Sequence, residues 1–427
     1  MAPIQSLGVA AMGIQLNARP VAMWLLLASP LVVLIVPQGT IERSFVPELF
    51  FIAFMLLTMA ATCIAAGAHV VPFSMSIQQV RPVLLLSLSL LLFLNPVWSV
   101  ALGNDPMRIV MTALPFAILG VYYLLALIHP SRKDVLDLLA CCALSGAVLG
   151  VVVIGNFFFG DLSSSAMRST AIEGNRTLSL PILPMGAVIA LSLSLTNSAS
   201  HRRYFWAVMT AICVVAILMS VTRAMLGSFL VGASISVTII FRRLEVPARR
   251  KFIRAVAVGV AGITALGIPL LSIWLERLDP TSDNDVATVL GRLDEYQAFL
   301  DGFMASPIIG QGLGHMFTFP SLFDMMLREN GITVCHSHLF FIAGTTGLLG
   351  IILYYFPLVA TFFELVRRTR HTTGGRANEG LGALAGMAGS LVAGILFTLT
   401  STTFTTLAYN LFLAIFLLGS RIDWRDV

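Results

Sequence analysis

Long apolar stretches recur along the whole chain, with short polar segments between them. Most are about 20 residues long, the length of an α-helix that crosses the hydrocarbon core of a bilayer. Because each stretch is continuously apolar, the pattern predicts membrane-spanning helices and argues against the alternating strands of an outer-membrane barrel. Twelve spans are predicted, at roughly residues 21–36, 49–66, 82–101, 107–129, 135–157, 177–196, 204–222, 224–241, 254–274, 339–366, 380–400 and 403–420.

One connection between spans is much longer than the others. Residues 275–335 separate the ninth span from the tenth, and within them residues 288–304 carry apolar side chains at intervals of three and four, which predicts an amphipathic helix. Its apolar stripe consists of Val289, Leu293, Tyr296, Leu300 and Phe303. The glycine-rich stretch SPIIGQGLG follows that helix. We therefore expect a single transmembrane domain over residues 1–427, with one large loop inserted at 275–335.

The tenth span is long and contains two glycines near its start, Gly344 and Gly347. Glycine weakens a helix and permits unusual backbone angles. The sequence therefore predicts a break in the first turns of this span.

The composition also indicates a polytopic membrane protein. Apolar residues make up 57% of the chain and charged residues only 11%, against about 25% charged residues in soluble domains. Soluble globular proteins and disordered proteins are thereby excluded. None of the five cysteines belongs to a Cys-x-x-Cys pair, and four lie in apolar stretches, so we expect neither a disulfide framework nor a zinc site.

The positive charges indicate how the chain is oriented, because basic residues concentrate in the cytoplasmic connections of membrane proteins. If the N-terminus is cytoplasmic, 18 of the 26 basic residues lie on the cytoplasmic side, so we expect both termini there and the 275–335 loop on the outer face. That loop carries nine acidic residues and three arginines, a net charge of −6, whereas the chain as a whole carries +5. The basic excess is then a topology signal facing anionic lipid, and nucleic-acid binding has no support.

Three arginines fall on the outer side next to predicted spans, where the orientation rule expects few. Arg176 precedes the sixth span, Arg223 separates the seventh from the eighth, and Arg292 lies on the amphipathic helix with Glu295 three positions on. An arginine at membrane depth is costly unless paired or hydrated, and its guanidinium binds phosphate in bidentate fashion. The three are candidates for binding a phosphate-bearing lipid head group; the alternative is that each anchors its helix at the interface.

Two histidines stand where the long loop re-enters the membrane, in the stretch CHSHLFF. Histidine is the usual general base near neutral pH, so His336 is a candidate to deprotonate a hydroxyl at the membrane surface, with Ser337 and His338 beside it. Positions two apart on a helix point in different directions, which argues against a metal ion shared by the two histidines. We expect no metal and no other cofactor. An ordinary interfacial role for His336 is the alternative.

These motifs together resemble the O-antigen ligase family, which forms a superfamily with O-antigen polymerases and bacterial O-linked oligosaccharyltransferases. His336-Ser337, nine residues and then Gly347-x-x-Gly350 is similar to the family's signature. SVTRAMLGSFLVG, which contains Arg223, resembles the opening of its shared region, and Arg292-x-x-x-Tyr296 with the following SPIIGQGLG resembles its Arg-x-x-x-aromatic helix and glycine turn. The resemblance covers roughly residues 170–410. The chain departs from many relatives at two places, with Thr345 where they have an acidic residue and Tyr296 where they have Trp.

The resemblance implies a glycosyltransferase of GT-C-like architecture in the inner membrane of a Gram-negative bacterium. It would transfer O-antigen polysaccharide from undecaprenyl diphosphate to a sugar hydroxyl of the lipid A–core at the periplasmic face, in lipopolysaccharide biosynthesis, without a metal and with inversion. Its partners would be these two lipid-linked substrates and membrane lipids. Arg176, Arg223 and Arg292 would bind the donor diphosphate and His336 would be the general base. The possible supporting residues are His338, Tyr296 and Ser337.

Other functions stay open at the level of sequence. An O-antigen polymerase or an O-linked oligosaccharyltransferase would use the same chemistry with another acceptor, although polymerases tend to have two large outer loops. Twelve spans are also compatible with a transporter of a polysaccharide or of a lipid-linked glycan. Against that, acidic residues within the spans, which proton-coupled transporters use, are almost absent.

Overall fold

The computed structural model describes the helical core of the protein. The described residues are 80–128, 130–159, 182–220, 222–242, 283–318, 331–333, 335–369, 375–397, 403–422 and 424, with single positions elsewhere. Within these ranges the chain is helical apart from turns and one isolated bridge between Phe317 and Ile332. The predicted all-helical class is confirmed.

Twelve α-helices lie within the described ranges. They are α1 Val80–Ser89, α2 Asn95–Ala101, α3 Pro106–Ala117, α4 Val121–Ile128, α5 Arg132–Phe159, α6 Ile182–Thr196, α7 Ser200–Met219, α8 Arg223–Phe241, α9 Asp283–Ala305, α10 His338–Thr369, α11 Gly375–Phe397 and α12 Thr403–Gly419. A π-helical turn, Leu90–Leu94, joins α1 to α2, and a 3₁₀ turn, Ile118–Gly120, joins α3 to α4.

The helices account for most of the predicted spans. Seven helical segments of the described chain are long and apolar enough to cross a membrane, and two shorter apolar helices, Ile182–Thr196 and Ala408–Gly419, coincide with further predicted spans. The protein is therefore a polytopic membrane protein. The predicted spans at 21–36, 49–66 and 254–274 lie outside the described residues apart from single positions, so the number twelve stays a prediction.

Helices α6, α8 and α11 form a group that packs through small residues. A Cβ atom added to Gly389 of α11 would lie 2.3 Å from the carbonyl oxygen of Gly232 in α8. The hydroxyls of Ser192 in α6 and Ser236 in α8 are hydrogen-bonded at 2.6 Å. Small residues let membrane helices approach closely, and hydroxyl pairs join them across the crossing. We call these helices the small-residue trio.

Contacts within the trio fix the direction of each helix. Val188 lies beside Gly232 and Ser192 lies beside Ser236, so α6 and α8 run the same way. Gly382, near the start of α11, contacts the end of α6, so α11 runs the opposite way. The starts of α6 and α8 and the end of α11 therefore share one end of the bundle.

Helix α10 begins at that same end. His338, its first residue, lies with its ring centroid 5.6 Å from that of Tyr409 in the first half of α12, and the Tyr409 hydroxyl donates to the carbonyl of Leu391, late in α11. At the other end of α10, Arg368 donates to the carbonyl of Ser420. We call the end with the start of α10 the site end.

The predicted break in the tenth span is confirmed, because Gly347 interrupts α10 with φ 66° and ψ −164°. A break leaves backbone groups without helical partners, and the glycine-rich segment after α9 supplies them. Four backbone hydrogen bonds join the two: Gln311 N to Gly344 O at 2.8 Å, Gly312 N to Thr345 O at 2.9 Å, Leu348 N to Pro307 O at 2.8 Å and Leu349 N to Ile308 O at 3.1 Å.

Asn95 holds this junction from the side of α2. Its Nδ2 donates to the carbonyl of Thr345 at 3.0 Å, and its Oδ1 accepts from the backbone N–H of Leu313 at 2.7 Å. Asn95 is 2% exposed, and an apolar residue in its place would leave the Leu313 N–H without an acceptor and the Thr345 carbonyl with only the Gly312 N–H.

Helix α9 contains the predicted amphipathic helix, but a different face of it is buried. Leu293 and Leu300 of the predicted stripe are exposed, whereas Phe299 and Glu295 are buried. Phe299 stacks on Phe317, with ring centroids 3.8 Å apart. Apolar side chains occur on both sides of the helix, so their spacing alone did not identify the side that packs on α10 and on residues 306–314, which we call the docked segment.

Candidate active site at the site end

His336 lies in the turn that precedes α10. The helix starts here because the carbonyl of Ser337 accepts the backbone N–H of Phe341 at 2.9 Å. The side chain of His336 is 36% exposed. The imidazole therefore lies at the edge of the packed bundle, where a substrate can reach it.

Glu295 of α9 binds His336 through both carboxylate oxygens. Oε1 accepts the backbone N–H of His336 in a short hydrogen bond, and Oε2 lies 2.7 Å from the ring Nδ1. Glu295 is only 4% exposed. Because a buried carboxylate is costly unless it is paired, this pair fixes the orientation of α9 relative to the start of α10.

Arg292 and Tyr296 flank Glu295 on the same helix. Arg292 hydrogen-bonds the Tyr296 hydroxyl, and burial nevertheless raises the pKa of Tyr296 above its usual value. The Tyr296 ring stacks on Phe340, with centroids 5.0 Å apart and planes inclined by 10°. The two rings thus tie the middle of α9 to the first turn of α10.

Cys335 completes the group around Glu295. Its thiol is buried and hydrogen-bonds Glu295, and burial followed by the nearby carboxylate raises the pKa of the thiol. Cys335 is therefore a neutral neighbour of the carboxylate. Its sulfur also accepts the backbone N–H of Ser337 at 3.4 Å.

His338 points away from this group, as expected for a position two residues from His336. It is buried, its Nδ1 lies 2.7 Å from the Tyr355 hydroxyl, and it lies among the rings of Phe116, Tyr354 and Tyr409. His338 is thus part of the aromatic packing between α3, α10 and α12.

The predicted arginines have different positions. Arg292 is in the cluster with Glu295 and Tyr296. Arg223 is the first residue of α8, follows the cap residue Thr222 and is exposed at the site end. Arg176 lies outside the described residues. The structure therefore brings Arg292 and His336 into one cluster and places Arg223 at the same end of the bundle on another helix.

A comparison with protein families identifies the region that contains this cluster. A family model described as O-antigen ligase matches residues 208–355, about a third of the chain. Residues 208–355 are therefore similar to the O-antigen ligase family. The matched region includes Arg223, Arg292 and His336, and the resemblance inferred from the motifs is confirmed. No curated protein matches the chain.

The O-antigen ligase family consists of glycosyltransferase-like enzymes and includes both ligases and polymerases. In general, its members use a lipid-linked polysaccharide and a lipid acceptor. The geometry around His336 is suited to proton removal from a hydroxyl. With Nδ1 held by Glu295, Nε2 is the ring nitrogen of His336 left for a substrate. A histidine oriented by a carboxylate through Nδ1 is a recurring arrangement for a general base.

Among the described residues, no three His, Cys, Asp or Glu side chains are grouped closely enough to hold a metal ion.

The sequence did not identify two residues that hold the site in place, Glu295 and Asn95. Glu295 was visible only as a neighbour of Arg292, and its one distinguishing signal is that an acidic residue falls on the same side of the helix as Phe299, four positions later. Asn95 lies in an apolar stretch of the third predicted span. A lone amide in such a stretch indicates a buried hydrogen-bond partner but does not identify it.

Proposed function

We propose that this protein is an O-antigen ligase of a Gram-negative inner membrane. It transfers O-antigen polysaccharide from undecaprenyl diphosphate to a sugar hydroxyl of the lipid A–core, in lipopolysaccharide biosynthesis. In this proposal both termini are cytoplasmic and the site end faces the periplasm. The orientation of the basic residues and the match of residues 208–355 to the ligase family support it.

The observation that carries the proposal is the position of His336. It is a partly exposed imidazole at one end of the bundle, held through Nδ1 by Glu295 of the helix that also carries Arg292, and it lies within the matched region. A transporter needs no imidazole prepared in this way. A glycosyltransferase whose acceptor is a sugar hydroxyl needs a base at that place, and general-base catalysis contributes roughly 10²–10⁴-fold.

The reaction is a displacement at the anomeric carbon of the donor sugar. The acceptor oxygen forms a bond to that carbon, the bond from the carbon to the diphosphate oxygen breaks, and the hydroxyl proton passes to Nε2 of His336. Attack opposite the leaving group inverts the anomeric configuration. Undecaprenyl diphosphate leaves with the bonding electrons, and holding the two lipid-linked substrates in line supplies much of the rate.

The arginines are assigned to the leaving group. Arg223, Arg292 and Arg176 bind the diphosphate and stabilise the negative charge that grows on it as the bond breaks. Guanidinium groups suit this role because they stay charged and bind phosphate oxygens in pairs. Tyr296, Ser337 and His338 support the start of α10 and the helix that carries Arg292. No metal takes part in the proposed reaction.

An in vitro transfer assay tests the proposal. Purified protein in lipid nanodiscs receives lipid-linked O-antigen and lipid A–core, with and without a chelator. We expect the chelator to leave product formation unchanged and His336→Ala to lower it by roughly 10²–10⁴-fold. His201→Ala, an exposed histidine at the start of α7, is the matched control and should keep full activity. Full activity of His336→Ala would refute the base assignment, and loss on chelation that a divalent ion restores would refute the metal-free mechanism.

A strain that lacks the gene distinguishes the ligase from its closest alternatives. We expect it to accumulate long lipid-linked polymer that never reaches the lipid A–core. Accumulation of single lipid-linked repeat units would instead identify a polymerase, and normal transfer by a vesicle preparation of His336→Ala would favour a transporter.

A further inference from the structure

We infer that Glu295 is the positioning residue of the general base, fixing His336 in the one tautomer that can accept a proton from the acceptor hydroxyl. The inference rests on the proposed function, in which His336 is that base. Its basis is the double contact between the Glu295 carboxylate and two donors of the same residue, the backbone N–H and the ring Nδ1 of His336.

The hydrogen bond from the backbone N–H of His336 to Oε1 determines whether the ring Nδ1 donates to Oε2 or accepts from it. A backbone N–H is always a donor, so Oε1 of Glu295 must accept from it. The other oxygen, Oε2, also has only lone pairs to offer while the carboxylate is ionised. A neutral imidazole facing Oε2 at 2.7 Å must therefore carry its hydrogen on Nδ1. Nε2 is then left with a lone pair, which is what a general base requires.

Three hydrogen bonds hold the Glu295 carboxylate in place. The carboxylate is buried, yet it accepts the two hydrogen bonds from His336 and a third from the Cys335 thiol. Arg292, one helical turn earlier, adds a positive charge on the same helix.

Burial also separates this pair from an ordinary surface ion pair. Glu295 is 4% exposed, whereas exposed pairs such as Arg367 with Glu364 at the other end of α10 remain in contact with water. Surface pairs contribute little because water competes for both partners. The Glu295 carboxylate has no such freedom, so its two oxygens stay on His336 and hold the ring in one orientation.

The substitution Glu295→Gln reverses the tautomer while keeping the shape of the side chain. Its carbonyl oxygen must still face the backbone N–H, so its NH₂ group faces Nδ1 and donates to it. Nδ1 then becomes the acceptor and the ring hydrogen moves to Nε2, where it blocks proton removal. We expect kcat to fall by roughly 10²–10⁴-fold, close to the loss in His336→Ala, with KM for both substrates nearly unchanged.

Two variants serve as controls. Glu295→Asp keeps two acceptor oxygens on a shorter side chain, and it should recover more activity than Glu295→Gln. Asp301→Asn makes the same carboxylate-to-amide change on the exposed side of α9, and it should leave kcat unchanged. If Glu295→Asp is no better than Glu295→Gln, the carboxylate chemistry is not what matters and the inference is wrong.

A spectroscopic readout separates positioning from a merely structural role. The ring nitrogens of His336, assigned by comparison with His336→Ala in ¹⁵N-histidine-labelled protein in nanodiscs, report which nitrogen carries the hydrogen. We expect the hydrogen on Nδ1 in the parent protein and on Nε2 in Glu295→Gln. An unchanged tautomer would overturn the inference even if activity falls.

The double variant distinguishes failure of this inference from failure of the proposed function. If Glu295 acts only through His336, then Glu295→Gln should lower activity no further in the His336→Ala background. A further loss there would mean that Glu295 acts independently. Full activity of His336→Ala would refute the proposed base itself, whereas an inactive His336→Ala beside a fully active Glu295→Gln would refute only the role of Glu295.

Discussion

Two regions of this protein join their elements in opposite ways. In the small-residue trio, α6, α8 and α11 approach each other through Gly232, Gly389 and a pair of serines. In what we call the site-end assembly, which comprises α9, residues 306–314 and the first turns of α10, the contacts are backbone hydrogen bonds into a broken helix and a carboxylate on a histidine. One region depends on the absence of side-chain volume, and the other depends on matched donors and acceptors.

The difference indicates that the trio determines the stability of the protein and that the site-end assembly determines its activity. The trio belongs to the membrane core, so added volume there should disturb folding itself. The site-end assembly is a loop segment docked on a helix break and joined to α2 by Asn95. We expect undocking of this segment to leave the trio intact and to change the positions of Glu295 and His336. Variants in the two regions should therefore separate loss of fold from loss of transfer.

The largest expected effect is in the trio. In Gly389→Val the new Cβ would lie 2.3 Å from the carbonyl oxygen of Gly232, and backbone cannot move aside as a side chain can. Overpacking of this kind costs about 3 kcal/mol or more. We expect little monodisperse protein after detergent extraction and a clearly lower unfolding temperature. Gly155→Val, at a position in α5 with no atom within 4 Å of the added Cβ, should behave like the parent, and equal behaviour of the two variants would contradict the account of the trio.

The second largest effect is expected in the site-end assembly, on transfer activity. Gly347 adopts φ 66° and ψ −164°, a region nearly restricted to glycine, and an added Cβ would lie 2.4 Å from the carbonyl carbon of Ile308. Gly347→Ala should cost roughly 1–3 kcal/mol and thereby displace the docked segment. We expect transfer to fall by about 10–100-fold while extraction and unfolding temperature stay close to those of the parent.

Gly291→Ala is the matched control for Gly347→Ala. Gly291 lies on α9 and has open space around its Cβ position. Alanine favours a helix interior over glycine by about 1 kcal/mol, so this variant should retain transfer and full stability. The comparison fails if Gly347→Ala keeps full transfer or if it unfolds as readily as Gly389→Val.

A third pair of variants compares polar contacts in the two regions. Asn95→Ala leaves the Leu313 N–H without its acceptor and removes one of the two hydrogen bonds to the Thr345 carbonyl, and an unsatisfied buried group costs about 1–3 kcal/mol. Ser192→Ala removes one interhelical hydroxyl contact of the trio, for which about 0.6 kcal/mol is typical. Amide hydrogen exchange of residues 308–313 should accelerate in Asn95→Ala and not in Ser192→Ala. The reverse pattern would show that the docked segment does not depend on α2.

The sequence predicted the local features of this structure but few of the contacts between residues that are far apart along the chain. Hydropathy located the described spans, and two glycines predicted the break in α10, because both depend on consecutive residues. The pairing of Glu295 with His336 joins residues 41 positions apart, and Asn95 contacts Thr345 across 250 positions. Such contacts follow from how helices pack. The apolar stripe of α9 likewise did not identify the side that is buried, because Phe299 is buried by contacts with Phe317 and α10, which lie later in the chain.

The smallest expected effect concerns His315, next to the docked segment. Its Nδ1 lies 3.4 Å from Oδ1 of Asn104, and burial lowers its pKa below the ordinary value of 6.5. The undocked ring binds a proton more readily than the docked ring. Docking is therefore independent of pH above about 6.5 and weakens as pH falls from there towards the lowered pKa.

Because the His315 ring is only half buried, lowering the pH should reduce the hydrogen-exchange protection of the segment by less than about tenfold. Hydrogen exchange of residues 315–317, corrected for the intrinsic pH dependence of exchange, should lose protection between pH 7.5 and pH 5.5, and His315→Gln should abolish that loss. The trio supplies the internal reference, because the glycines and serines at its crossings do not titrate and its protection should stay constant over the same range. Equal losses in both regions would point to global unfolding, and the site-end assembly would then have no separate docking equilibrium.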